Sequence, residues 1–153
     1  MIMNRQKRVR VSIQALDKFL RSVLQRLRLP ADALTICCVS NAEMARWNRT
    51  YRGKKRATDV LSFPVDAAQR LRRNGQWGRR GRDDLSGGEY LGDIAIAPAV
   101  ARENARRFGR SFDEEMRILI LHGVLHLMGY DHETDSGQME RFERRLRREW
   151  RIG

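Results

Sequence analysis

The chain contains three histidines, and all of them fall between positions 122 and 132, in the stretch HGVLHLMGYDH. Histidines with unrelated roles rarely crowd in this way. His122 and His126 stand four residues apart in a run that reads as a helix, so their imidazoles share one face about one turn apart. Gly129 ends that helix, and the residues after it can swing His132 back to the same point. Three neutral nitrogen donors with a fourth position open match a catalytic zinc site, because structural sites fill all four positions. A lone histidine on an apolar helix is most often a satisfied core residue. Burying three imidazoles without partners is costly, and one ion held by His122, His126 and His132 removes that cost. Imidazoles suit zinc, and copper, nickel and iron also accept them. The expectation is therefore one zinc ion or another divalent transition metal, with His122 at the centre of the chemistry.

The spacing resembles the extended zinc-protease motif HExxHxxGxxH in both helical histidines, the glycine and the third histidine. The glutamate that activates water in those proteases is missing, and Gly123 stands in its place. A base must come from elsewhere. Asp131 and Glu133 flank His132 and are candidates for a base or for support of the ligands. Ordinary loop or capping carboxylates are an equally good reading of both. A three-histidine ion can polarise a phosphoryl oxygen or lower the pKa of a bound water.

The elements that must position these groups follow from pattern. Residues 8–12 (RVRVS) alternate as a strand does. Residues 12–28 carry Ile13, Leu16, Leu20, Val23, Leu24 and Leu27 at helical spacing, with Pro30 just beyond. Residues 33–39 (ALTICCV) read as a buried strand. Ser40 with Glu43 forms a capping box opening a short helix through about Asn48. A basic loop (YRGKKR) leads to a strand over 59–65, and Pro64 marks it as an edge. Residues 66–88, rich in Arg and Gly with Trp77 as their aromatic, read as a long basic mobile loop. A strand over 90–97 follows, then a helix with Pro98 in its first turn and Gly109 at its end. Ser111 and Glu114 form a second capping box before a helix to about Met128, apolar nearly all round and hence the buried central helix. A last helix from about Thr134 presents Met139, Phe142, Leu146 and Trp150 on one face. The fold class is α+β: a single domain over 1–153, a small mixed sheet packed with several helices.

Composition narrows the function. At 153 residues the chain can bury a core without staples. No apolar run reaches the ~20 residues of a membrane helix, and the basic N-terminus lacks the apolar core of a signal peptide. The expectation is a cytoplasmic protein with no membrane partner. Cys37 and Cys38 are adjacent, point to opposite faces of a strand and so do not bridge each other. They read as small buried hydrophobes. Lys and Arg number 31 against 19 Asp and Glu, for a net charge of +12. Such a charge favours polyanions, and RNA or DNA leads over membranes. An arginine-rich host proteome is the competing explanation of the charge.

HGVLHLMGYDHE, WNRTYRGKKRATDVLSFP and LGDIAIA together resemble the YbeY family, in family order, over about residues 33 to 150. The resemblance implies an α+β fold and a metal-dependent endoribonuclease acting on single-stranded RNA. It implies processing of small-subunit ribosomal RNA and ribosome quality control, with ribosomal RNA and the small ribosomal subunit as partners. It makes His122, His126 and His132 metal ligands. Arg52 matches a family arginine assigned to catalysis or RNA contact, where a guanidinium can pair with phosphate. Lys54, Lys55, Arg56 and the arginines of 66–88 would grip the RNA backbone, and Trp77 would stack on a base. Two departures stand out: Ala57 where the family often has proline, and a longer, more basic 66–88. Two other classes stay open. One is a non-catalytic, metal-stabilised ribosome assembly factor. The other is a metal hydrolase of other esters or of peptides, which the missing glutamate and the charge weigh against.

Overall fold

The computed structural model describes residues 1–54, 56–65, 90–131 and 134–153. They form a mixed α+β domain with four strands and five helices: β1 (Ile2–Asn4), α1 (Ile13–Arg26), β2 (Leu34–Cys38), α2 (Asn41–Arg52), β3 (Val60–Pro64), β4 (Gly92–Ile96), α3 (Pro98–Phe108), α4 (Phe112–Leu127) and α5 (Gln138–Glu149). The sheet runs in the order β1-β2-β4-β3. β1, β2 and β4 are parallel, while β3 lies antiparallel to β4 at the edge, where the proline at position 64 is tolerated. The basic 66–88 segment and Trp77 fall outside the described residues.

The period of a strand divides the core. On β2, Ile36 and Cys38 join the larger cluster with Leu20, Leu24, Ile120 and Val124. Cys37 and Val39 face the other way, toward Met44 and Trp47 of α2. The two thiols are free and lie on opposite faces, as adjacent strand residues must. Burial pushes both thiols up to about 12, so they remain protonated and unreactive.

Four expectations need correction. Residues 8–12 form no strand; the first strand is Ile2–Asn4. The reason is a side chain: Gln6 accepts from the Val9 N–H at 3.0 Å and donates to the Val9 carbonyl at 2.9 Å, taking both groups a neighbouring strand would need. α2 runs past Asn48 to Arg52, ending at a left-handed Gly53, so Arg52 sits in a helix's last turn and not in a loop. At its start, Ser40 accepts from the Glu43 N–H, but the Glu43 carboxylate pairs with Arg5 at 3.0 Å, which leaves only half of the expected box. α5 begins at Gln138, after a turn in which the Asp135 carboxylate accepts from the Gly137 and Met139 N–H groups.

α4 is the buried central helix that its sequence implies. Its N-terminus carries the complete Ser111/Glu114 capping box, and its buried face includes Met116, Ile120, Leu121, Val124 and Leu125. It packs against α1, α3, α5, β3 and β4, so its C-terminal end is fixed from several sides. Met139 and Leu146 anchor α5 to the same core, with Phe142 and Trp150 packed beside them. Among the described residues no helix is long and apolar enough to cross a membrane.

Candidate metal centre and cleft

His122 and His126 lie on the last turns of α4 and face one another. Their Nε2 atoms are 3.1 Å apart, with ring centroids at 4.6 Å. A tetrahedral zinc with nitrogen ligands at about 2.0–2.1 Å places its donor atoms about 3.3 Å apart. The pair therefore suits a shared ion after a shift of a few tenths of an ångström. Both rings are half-buried, at the wall of a cleft and not within the apolar core.

The position between them explains the missing glutamate. Gly123 faces the sheet, where an added Cβ would come within 2.9 Å of the Ile94 side chain. Its carbonyl accepts from the Ser62 hydroxyl at 3.3 Å, which ties α4 to β3. A Cβ there must push the Ile94 side chain aside, and an acidic group would carry its charge into that apolar contact.

Past Leu127 the chain turns back on itself. The Gly129 N–H donates to the His126 carbonyl at 3.0 Å and the Tyr130 N–H to that of Leu125 at 3.1 Å, a Schellman closure with Gly129 at φ 104°. Only glycine takes that conformation cheaply. The turn delivers Tyr130 and Asp131 to the rim of the cleft. The Asp131 carbonyl then accepts from the Thr134 and Asp135 N–H groups at 3.2 and 3.0 Å.

The cleft has a volume of about 620 Å³. Arg52, Asp59, Ser62, His122, His126 and Asp131 are among its lining residues. Arg52 enters from the end of α2 and is exposed, so it can reach a bound anion. Asp59 is held by the Asn104 amide at 3.1 Å and by the Thr58 hydroxyl at 3.4 Å. Tyr51 stands next to Arg52 with its ring 4.8 Å from that of Phe63, presenting an exposed aromatic to the same space.

Of the expected site residues, the structure thus brings Arg52, His122, His126 and Asp131 to one cleft. His132, like Glu133 and Lys55, lies outside the described residues. Among the described residues no group of three metal-ligating side chains assembles; His122 and His126 supply two donors. Sequence reasoning missed Glu143, whose Oε1 lies 2.8 Å from Nδ1 of His122. A signal existed. Glu143 is four residues after Met139 and three before Leu146, so it is a carboxylate on the apolar side of an amphipathic helix.

A family model described as endoribonuclease YbeY matches residues 1–151. An endoribonuclease YbeY from Solibacter usitatus is 41% identical over 135 residues, which is 87% of this chain and 76% of that protein. One from Koribacter versatilis is 41% identical over 147 residues, covering 96% of this chain and 83% of the relative. The solution structure of TM1509 from Thermotoga maritima superposes with a TM-score of 0.55 at 26% identity, covering 99% of this chain and 92% of that one.

Proposed function

The chain belongs to the YbeY endoribonuclease family, and from that premise we propose that it is a cytoplasmic, metal-dependent enzyme that cuts single-stranded RNA. Its substrate is the RNA of the small ribosomal subunit, in maturation and in quality control, and the whole chain 1–153 serves as one catalytic domain. The observation that carries this reading is the pair of Nε2 atoms 3.1 Å apart at the wall of a cleft that Arg52 also lines.

His122, His126 and His132 would hold one zinc or similar ion. When bound, the ion supplies Lewis-acid polarisation of a phosphoryl oxygen. The remaining work falls to the protein's own groups. Arg52 binds two oxygens of the scissile phosphate and stabilises the charge that grows on them. Asp131, at the rim, takes a proton at its carboxylate from the attacking hydroxyl or water as that oxygen bonds to phosphorus, and the leaving oxygen, as its own bond to phosphorus breaks, takes a proton from solvent. Tyr51 offers a ring on which an unpaired base can stack, a contact worth ~1–3 kcal/mol per base elsewhere. Single strands suit this arrangement because a base in a duplex is already stacked.

Lys54 and Arg56 are exposed beside the cleft's Arg52 end, and with Lys55 and the arginines of 66–88 they grip the backbone without regard to sequence. Each neutralised phosphate then contributes a slope of ~0.7 in log K against log salt. The test is cleavage of an end-labelled single-stranded RNA by the purified, metal-loaded protein beside a folded His122→Ala variant. Cleavage by the first and none by the second supports the reading. Equal cleavage by both removes His122 from the chemistry.

A further inference from the structure

Glu143 contributes nothing to the core and lines no part of the cleft among the described residues, yet it is held in one place. Met139 and Leu146, 1% and 0% exposed, fix the helix on either side of it. Its side chain is 14% exposed, with Oε1 at 2.8 Å from Nδ1 of His122 and Oε2 at 3.6 Å from Nη1 of Arg147. A carboxylate can only accept, so Nδ1 of His122 carries the proton and donates. A neutral imidazole protonated at Nδ1 has its lone pair on Nε2, the atom that faces Nε2 of His126. We propose that Glu143 is a positioning residue for the metal centre: it locks His122 in the Nδ1–H tautomer and aims the Nε2 lone pair at the ion.

This inference rests on the metal reading of the histidine pair. It adds a residue from another helix, so the affinity of the site for its ion depends on how α5 docks on α4. The chemistry is that of a carboxylate–histidine–metal relay, in which removal of the outer partner usually costs ~10–100-fold in metal affinity. Arg147 takes a secondary part. Its guanidinium touches the other carboxylate oxygen, fixes the rotamer and draws charge away from the bond to His122. The competing role is a plain clip between two helices. In that case removing the carboxylate would loosen α5 on α4 and leave the hold of His122 on the ion unchanged.

The two roles separate in one experiment on the full chain. Zn²⁺ affinity is measured by chelator competition for the wild type, Glu143→Ala and Glu143→Gln, and two-bond ¹H–¹⁵N spectra of labelled histidines are recorded on the metal-free proteins. The expected result is a wild-type His122 protonated at Nδ1 alone. Zinc affinity should fall ~10–100-fold in Glu143→Ala, and less in Glu143→Gln, whose carbonyl still accepts. Glu143→Gln keeps volume and so serves if the alanine variant fails to fold. A wild type that binds Zn²⁺ while both folded variants match it within twofold overturns the proposal and leaves the metal reading intact. A wild type that binds no Zn²⁺ overturns the metal reading itself, and the role of Glu143 with it.

Discussion

The two ends of α4 treat polar groups in opposite ways. At the N-terminal end every charge is closed on a local partner. Ser111 and Glu114 exchange hydrogen bonds with each other's backbone at 3.0 and 3.1 Å, and Glu115, 3% exposed, meets Arg110 at 2.9 Å. At the C-terminal end the imidazoles of His122 and His126 direct Nε2 atoms toward one another beside a cleft, with a carboxylate from α5 behind one of them. The same helix thus closes its polar groups on local partners at one end and turns two imidazoles toward a cleft at the other. Polar groups on a buried helix are informative by what they face: a closed pair reads as structure, and convergent donors at a cleft read as chemistry.

That contrast can be broken first at Gly123. Gly123→Glu restores the protease motif on paper, but the new side chain meets Ile94 and buries a charge. It should cost ~3 kcal/mol or more from overpacking and desolvation, lower the thermal midpoint sharply and yield no peptidase activity. A stable variant would show that Ile94 repacks around the new side chain at little cost. Next in size is Arg52→Ala, which acts on the cleft alone. Losing the charged donor proposed for the reacting phosphate should lower kcat/KM ~100-fold with an unchanged melting curve, and Arg52→Lys should recover only part.

At the structural end, Glu115→Ala should do the reverse. It leaves Arg110 without its buried partner, a loss of ~1–3 kcal/mol once partial exposure of Arg110 is allowed for, while Zn²⁺ affinity and cleavage per folded molecule stay as they were. Ser111→Ala should cost ~1 kcal/mol in a denaturant titration. The Ser111 N–H, then the Gly153 backbone, hold the Glu114 carboxyl below its usual range. Its contribution is therefore complete above the ordinary carboxylate value and is lost as the pH falls through the lower folded value. Glu114→Gln should flatten that acid dependence.

Much of this was legible in the sequence because it is local. His122 and His126 needed only helical spacing, Gly129 a left-handed turn, Pro98 and Ser111 the chemistry of helix starts, and Pro64 the rule for edges. The mixed sheet with a buried central helix followed from apolar patterning. What escaped depends on contacts the chain makes with itself. Gln6 replaces a strand partner for Val9, so an alternating stretch forms no strand. Arg52 joins a helix because Gly53 comes late enough to let it. Glu143 reaches His122 across 21 residues, and only the packing of α5 on α4 puts it there.

On the proposed function, His122 and His126 belong to an ion site that the RNA-cutting reaction requires. Its most direct test is to strip the protein with a chelator, add back Zn²⁺ in steps, and follow cleavage of a single-stranded RNA together with bound metal. Cleavage should vanish on stripping and return in step with one ion per chain, and folded His126→Ala should recover neither. Full cleavage by the stripped protein, or its return without an ion bound at these histidines, would contradict it.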